Sequence, residues 1–538
     1  MQADALYFNG TIYSLEDKLP IAQAIAVADG RIVDIGSSRD LVSRYRECAE
    51  AYDLHGMTVI PGLTDAHGHF FDFARSLLRL DLSEAKDFEE VVKIVAGETA
   101  RRADGEWVLG RGWDQNRWDE REFPTRRRLD EVTRGNPVYL ERSCMHAALV
   151  NSVALRLAGI GRDTRDPEGG RILRDRSGEP AGVLLDEAMK LVSEKIPPMK
   201  KSEMEGALVH AAERCLSAGL VGVHEMGVTE ESALIYEEMY RNDRLPLRIT
   251  GYFSSELEDF DRLVAEGPIG DCCGHFFSIV GVKFFSDGSL GARTAALLED
   301  YSDDPGNRGI LVNDPDELYE KMFLAHQRGF QIAVHAIGDR ANRVVLDLIK
   351  RLIAVRPVSD ARFRIEHAQV VSPEDIRRFG RLGVVPSMQF VHCISDMDWV
   401  ERRLGPRRSR NSYAWKSFLD EGCTIAGGSD FPVESHDPLL GIYAATTGAD
   451  VSGKPAGGWH AEQTLSVEEA IRAFTINAAY AAREDRWRGS LRKGAAADFV
   501  VLSDDIMNIH PHSIPSISVV TTVIGGKIAY SAEGSPIG

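Results

Sequence analysis

Short apolar runs of strand length dominate both ends of the chain, and long stretches of helical periodicity appear between them. Near the N-terminus, Ala5–Phe8 and Thr11–Tyr13 flank Asn9-Gly10, a dipeptide typical of tight hairpin turns. A second hairpin is predicted from 21–27 and Arg31–Gly36 around Asp29-Gly30. A short helix within 37–50 and a strand at 58–60 complete a small β unit.

The C-terminal end shows the same strand pattern. Strands are predicted at 497–502, 518–524 and 527–530, the last two joined by Gly525-Gly526. Since chain termini often lie close together, we predict one β-sandwich built from residues 1–60 and 489–538.

The body, 61–488, alternates strand-like runs with helical periodicity. Strands are predicted at 220–224, 277–283, 331–335, 362–367 and 424–429, and helices at 202–218 and 340–354. This alternation is typical of parallel strands joined by crossover helices. A (β/α)₈ barrel is favoured over an open, doubly wound sheet, because polar residues lie within or at the ends of several strand runs.

Residues 104–200 interrupt this rhythm. The segment carries Trp107, Trp113 and Trp118, many arginines, and a Gly/Asp-rich stretch over 159–182. Long excursions within compact domains are usually functional or mobile. We predict an insertion in the early barrel that covers the site.

Composition narrows the class of partner. The net charge of −19 over 538 residues argues against nucleic acid and anionic membranes, so a small-molecule substrate is expected. No apolar run reaches the roughly 20 residues of a membrane span, and no basic segment marks a signal peptide. Seven cysteines without a C-x-x-C pair indicate a reducing compartment, which predicts the cytoplasm. Whether the chain self-associates stays open.

His67 and His69 form the first element of a predicted metal site. In an extended chain, side chains at i and i+2 point to the same side, so two imidazoles can meet one ion. His335, His367 and Asp430 each end a later strand-like run. Four imidazoles and a carboxylate suit zinc, although iron, manganese and nickel compete for such ligands.

Lys283 lies among apolar neighbours in 280–285. A buried lysine must pair with an anion or lose its proton. One interpretation is a lysine with a salt bridge or a solvent-reaching head group. The other is a neutral amine that adds carbon dioxide to become a carbamate able to bridge two metal ions.

These motifs together resemble the amidohydrolase superfamily. The resemblance rests on 61–63, on 65–69 (Asp-Ala-His-Gly-His) and on the later histidines and aspartate. The segments 110–114, 146–151 and 282–295 are similar to the amidohydrolase-3 branch, which includes N-substituted formamide deformylase. The resemblance covers essentially the whole chain. It implies that His67, His69 and Asp430 hold the more buried ion, and that carboxylated Lys283 bridges to a second ion on His335 and His367.

The resulting expectation is a metal-dependent amidohydrolase that cleaves a non-peptide C–N bond of the amide or formamide type. Asp430 is the predicted general base. Alternatives are a cyclic amide, ester or deaminase substrate, or a regulatory or binding homologue that has lost activity. Sequence does not separate these alternatives, nor one ion from two.

Substrate contacts are predicted from four further residues: Trp113, His146, Arg293 and His224. Arg293 is expected to face the metals or to pair with Asp287. His224 is expected either to reach the site or to pack beneath it. The stretch 142–145 reads Arg-Ser-Cys-Met, where the family pattern has an acidic or Asp-Gly segment before the histidine.

Overall fold

The computed structural model describes residues 3–143, 146–197 and 199–537, and the chain divides into two units. The first unit combines Met1–Phe71 with Val209–Gly538, and the second is Asp72–Leu208. The predicted insertion, 104–200, falls inside the second unit, which extends further at both ends.

Eight parallel strands form the centre of the first unit, and each is hydrogen-bonded to the strand that follows it in the barrel order. We number them β1 Leu63–Gly68, β2 Leu220–Val228, β3 Arg248–Ser254, β4 Phe277–Phe285, β5 Gln331–Ala336, β6 Arg364–His367, β7 Val385–Gln389 and β8 Ala426–Gly428. Neighbours in the sheet follow chain order, which confirms the predicted barrel and rules out the doubly wound alternative. A short strand, Ile269–Cys272, pairs antiparallel with β4.

The barrel closes where β8 meets β1. The Asp65 carboxylate accepts hydrogen bonds from the backbone N–H groups of His67 and Ser429, at 2.9 and 3.1 Å. A side chain at Gly428 would meet the His67 nitrogen at 2.7 Å and the Asp65 carboxylate at 2.8 Å. Glycine at this position therefore allows the two strands to approach.

Helices follow the barrel strands and pack around them. Their bounds are Phe70–Leu77, Lys201–Ser217, Glu230–Arg241, Phe260–Glu266, Pro315–Gln327, Asp339–Val355, Pro373–Leu382, His392–Arg408, Trp415–Asp420, Pro438–Thr447, Val467–Ala473 and Ile476–Ala481. The helices predicted at 202–218 and 340–354 are confirmed to within a residue at each end. Several begin at a side-chain cap; Ser372 accepts from Asp375 N–H with Pro373 at the first helical position.

Two sheets form the predicted sandwich, with strands from both chain ends. One sheet runs Arg31–Gly36, Ala24–Ala28, Ala5–Phe8 and Glu50–Asp53, and the helix Ser38–Arg44 accompanies it. The other runs Lys527–Ser531, Val519–Ile524, Phe499–Leu502, Thr58–Pro61, Thr11–Tyr13 and Ile21–Ala22. Their inner faces share one core that includes Tyr7, Ile25, Val59 and Phe499. The composite β domain is thus confirmed.

The predicted hairpin at Asn9-Gly10 is wrong. Ala5–Phe8 pairs with strands of one sheet, whereas Thr11–Tyr13 pairs with strands of the other. Asn9, at φ +61°, turns the chain from one layer of the sandwich to the other. The local signal for a turn is correct, but burial on both inner faces separates the strands it joins. The second predicted hairpin is confirmed by the pairing of Ala24–Ala28 with Arg31–Gly36.

The second unit, taken by itself, contains a mixed sheet ordered Gly170–Arg174, Pro180–Asp186, Ala147–Val150, Val138–Arg142, Val108–Trp113 and Leu80–Asp81. Its helices are Phe88–Thr99, Arg127–Val132, Ser152–Leu157 and Lys190–Ser193. Trp113 and Trp118 stack at 6.1 Å within its core. Across the described ranges of both units, no helix combines the length and apolar character needed to cross a membrane.

Candidate metal centre and active site

The six predicted metal ligands come together at the carboxyl ends of the barrel strands. His67 lies in β1, His69 just after it, and Asp430 follows β8. The other three are Lys283 in β4, His335 in β5 and His367 at the end of β6. All six line one cavity of about 420 Å³ in the first unit.

His67 is held in a defined orientation. Its Nδ1 donates to Glu366 Oε2 at 2.6 Å, and both side chains are fully buried. Its Nε2 lies 3.5 Å from Asp430 Oδ1 and 3.3 Å from Lys283 Nζ. Burial, together with neighbouring Lys283, lowers the pKa of His67 to about 4. The ring is therefore neutral at physiological pH, and its Nε2 lone pair faces the cavity.

Arg364, beneath this histidine, keeps Glu366 ionised. Its Nε donates to Glu366 Oε1 at 2.8 Å, and its other nitrogens contact Ala66 O, Tyr252 and Ser387. Burial alone would raise the pKa of Glu366, but Arg364 and His67 hold it well below its usual range. A charged carboxylate on Nδ1 fixes the tautomer and makes Nε2 a stronger ligand.

Asp430 lies between the two histidines of the first motif. Its Oδ1 is 3.1 Å from His69 Nε2, and its Oδ2 is 3.9 Å from His392 Nε2. Burial opposes its charge, yet His69 and the neighbouring imidazoles hold the pKa of Asp430 well below its ordinary value. The carboxylate is thus charged and available as a ligand or a proton acceptor.

His335 and His367 form the other side of the cluster. Their ring centroids are 4.5 Å apart, and His367 lies 4.9 Å from the His67 ring. Burial and the charge on Lys283 lower the pKa of His335 to about 3; burial and the adjacent His335 also lower that of His367. The buried Nδ1 of His367 has no hydrogen-bond partner among the described residues.

Two of the ligand positions adopt unusual backbone conformations. His367 and Asp430 have φ of +70° and +63°, in the left-handed region that costs non-glycine residues energy. Such residues cluster at functional sites, where the surrounding fold holds them in place. Hydrogen bonding from Asp430 N–H to His67 O, at 2.7 Å, fixes one of them.

Lys283 is buried, with 1% of its surface exposed. No carboxylate in the described part of the chain forms an ion pair with it, so the salt-bridge interpretation finds no support there. Burial lowers the pKa of this amine.

The residues present fit a divalent metal ion. Ligand atoms of His67, His367 and Asp430 all lie within 4.8 Å of one another. Neutral imidazoles, an ionised carboxylate and an orphaned buried nitrogen are the donors such an ion takes. This trio crosses the grouping that the resemblance implies, because it takes ligands from both expected ion positions.

Arg293 and His224 do not line the cavity. The Arg293 guanidinium pairs with Asp303, at 3.1 and 2.9 Å, rather than with Asp287. Asp287 instead accepts from the N–H groups of Ala296, Ile337 and Gly338. His224 is fully buried, and its Nδ1 accepts from Arg364 at 3.0 Å, which is the packing position beneath the site.

Trp113 and His146 lie in the second unit. Trp113 is fully buried, and its Nε1 donates to Leu140 O at 2.8 Å, as expected of a core residue. His146 is exposed, with Nδ1 3.0 Å from Asp186 Oδ1. Cys144 and Met145, in the departing stretch before His146, lie outside the described residues.

Sequence reasoning missed three polar residues that shape the site: Glu366, Arg364 and Asp65. Two carried a readable signal. Arg364 and Glu366 stand at i and i+2 of an apolar strand, so both point to the same side, as a buried ion pair would require. His392, on a segment expected near the mouth of the site, is the first residue of its helix and lines the cavity.

Comparison with protein families gives a match over residues 50–530 to the model described as "Amidohydrolase family". Among curated proteins, the chain is 36% identical to Protein LONG AFTER FAR-RED 3 of Arabidopsis thaliana, over 98% of this chain and 92% of that one. It is 27% identical to N-substituted formamide deformylase of Arthrobacter pascens, over 99% of both.

Among solved structures, an uncharacterized metal-dependent hydrolase from Pyrococcus horikoshii OT3 superposes with a TM-score of 0.77 at 28% identity. The match covers 94% of this chain and 99% of that one.

Proposed function

The chain belongs to the amidohydrolase family, and from that premise we propose that it hydrolyses a non-peptide carbon–nitrogen bond, of the amide or formamide kind, in a small-molecule substrate. One observation carries the proposal. The His67, His367 and Asp430 ligand atoms lie within 4.8 Å of one another, with an ionised Glu366 behind His67. A related deformylase that acts on N-substituted formamides, aligned over 99% of this chain, supports the bond type.

The metal ligands we propose are His67, His69, His335, His367 and Asp430. They would hold one or two divalent ions, with zinc first among the candidates. When bound, such an ion supplies Lewis acidity for the scissile carbonyl and lowers the pKa of a water from about 15.7 to about 7. The chain supplies the four imidazoles and the carboxylate that make this cavity a ligand set, and the pKa values of His67, His335 and His367 are lowered by burial.

Asp430 is the proposed general base. Its carboxylate takes a proton from the attacking water as the carbon–oxygen bond forms, and delivers it to the nitrogen as the carbon–nitrogen bond breaks. Both oxygens have imidazole neighbours, at 3.1 and 3.9 Å, so the carboxylate stays oriented toward the cavity.

Lys283 is proposed to become a carbamate. Its neutral amine nitrogen bonds to the carbon of carbon dioxide and releases one proton, which leaves an anionic carboxylated lysine. Burial of Lys283 and its lowered pKa support this modification, and so does the lack of a carboxylate ion pair among the described residues. The carbamate would then be the bridge between two ions.

Elemental analysis of chain purified without chelator, combined with a substrate panel, tests the proposal. We expect one or two metal ions per chain, and turnover of N-substituted formamides or amides that stops on chelation and returns with metal. Turnover confined to cyclic amides, esters or deaminase substrates would reject the proposed amide or formamide bond in favour of that substrate class. A folded chain that refuses metal and turns over nothing would favour the regulatory alternative.

A further inference from the structure

The part of the cavity lining beyond the six ligands, here called the outer wall, combines apolar side chains with two acids. Above the ligands, five side chains line it: Phe285, Leu290, Ile337, Trp399 and Val433. A cavity of about 420 Å³ lies within the range of small-molecule sites. The wall therefore has room for an aliphatic or aromatic substituent beside the reacting bond.

The charged groups of that outer wall are both acids. Asp396 accepts from Gln369 Nε2 at 2.8 Å and from the Tyr413 hydroxyl, which fixes its carboxylate at the cavity. Glu434 accepts from the Ser395 hydroxyl. Within the described part of the chain, the cavity lining contains no arginine, and its single lysine is Lys283 beside the ligands.

Two arginines near this wall are engaged with the same carboxylate, outside the cavity lining. Arg293 and Arg403 both pair with Asp303, and Arg403 also donates to Gly291 O at 3.2 Å. Neither side chain lines the cavity. A substrate carboxylate in this outer part would thus lose water and meet two acids, with no arginine in the described lining to pair with it.

His392 provides an independent sign that a polar ligand atom belongs here. Its Nε2 is buried and has no hydrogen-bond partner among the described residues, although it lies 3.9 Å from Asp430 Oδ2. Buried polar atoms are nearly always paired in folded proteins. Since His392 lines the cavity, this nitrogen is available to a polar atom of a bound substrate.

We propose that the outer cavity selects substrates whose nitrogen substituent is uncharged or positively charged, and rejects those that carry a carboxylate. The inference deepens the proposed hydrolase function and rests on it for turnover. Binding selectivity follows from the wall alone, so it is measured separately.

Three benzylureas that differ only at the para position serve as binding probes: the unsubstituted, the carboxy and the aminomethyl compound. Calorimetry with the full chain should give affinities for the unsubstituted and aminomethyl ureas that exceed the carboxy urea by about 30-fold or more. The three matching benzylformamides report turnover in parallel.

A charge reversal at Glu434 tests whether the selectivity arises in the outer wall. Glu434→Lys should raise the affinity for the carboxy urea about tenfold and lower the affinity for the aminomethyl urea. Asp398→Lys is the matched control, since Asp398 is exposed on the same helix as Asp396 and does not line the cavity. The control carries the same change in net charge and should leave the order intact.

Equal or tighter binding of the carboxy urea would overturn the inference, and so would failure of all three ureas to bind. An equal response of the two lysine variants would also overturn it, because the effect would then be a general one of net charge. Ordered urea binding without formamide turnover would instead retain the charge selectivity and remove the proposed reaction.

Discussion

Glu366 Oε2 accepts a hydrogen bond of 2.6 Å from the Nδ1–H group of His67, and neither side chain has any exposed surface. This contact decides which nitrogen of His67 faces the cavity. Loss of a hydrogen-bond partner behind a metal-ligating histidine typically lowers metal affinity by about 10- to 100-fold.

Glu366→Gln should accordingly weaken metal binding by about 10- to 100-fold, because glutamine keeps the size but loses the charge. It also leaves buried Arg364 without its ionic partner, so the free energy of unfolding should fall by about 3 kcal/mol. Competition against a graded series of chelators measures the affinity, and circular dichroism checks the fold. Unchanged affinity in a folded variant would show that His67 does not depend on this carboxylate.

Asp430→Asn should lower kcat by about 10²- to 10⁴-fold, the usual contribution of a positioned base. Asparagine can still offer an oxygen to an ion but accepts no proton at neutral pH. Metal content is measured beside the rate, so that loss of a ligand is distinguished from loss of a base. Asp398→Asn is the control, and wild-type turnover in Asp430→Asn would reject the general-base assignment.

Lys283→Ala should reduce the metal content per chain, because the variant has no amine to carboxylate. Short carboxylic acids such as acetate should restore part of it by occupying the space of the carbamate. Lys283→Arg keeps a positive charge without a carboxylatable amine, and should lose metal without rescue. Full metal content in both variants would leave the lysine as a packing residue.

Asp498, just before the sandwich strand Phe499–Leu502, forms a buried ion pair with Arg248 at the start of barrel strand β3. The Arg248 guanidinium donates to the two carboxylate oxygens at 2.8 and 3.0 Å. Asp498→Asn should destabilise the chain by about 3 kcal/mol, since one charge of a buried pair is left without its partner. Thermal unfolding compares the variant with wild type at neutral pH.

The same pair predicts a pH dependence. Burial would raise the pKa of Asp498, but Arg248 holds it below its ordinary value. The pair's contribution is therefore present above the unfolded pKa of about 3.9, and is lost as the pH falls through the lower folded value. The stability gap between wild type and Asp498→Asn should shrink below about pH 4. A gap that stays constant down to pH 3 would contradict this explanation.

Much of the architecture is readable from local pattern. Strand runs and helical periodicity depend on residues close in sequence, and the barrel and the sandwich predicted from them are confirmed. The H-x-H at His67 and His69 is also local, and its role as a metal-binding pair stays a prediction. The hairpin at Asn9-Gly10 shows the limit. Its turn signal is local, but the choice of sheet depends on which inner face buries Tyr7 and Ile12, and that is set by strands at the far end of the chain.

The site shows the same division. The six ligand candidates lie within, at the end of or just after strand runs, so a barrel brings them together whatever the loops do. Arg293 depends on a loop, and its partner Asp303 lies ten residues further along a segment without regular pattern. His392 points to the cavity only because of how its helix leaves β7, and no periodicity within the helix encodes that direction.

The sheet shared by both chain ends also has a consequence for biosynthesis. Val59, shortly before β1, pairs with Val501, so its partner leaves the ribosome about 440 residues later. Until then, the edge of Thr58–Pro61 that pairs with Phe499–Leu502 stays uncovered, and exposed strand edges are prone to aggregate. The sandwich therefore cannot close until the barrel strands between its two halves have been synthesised.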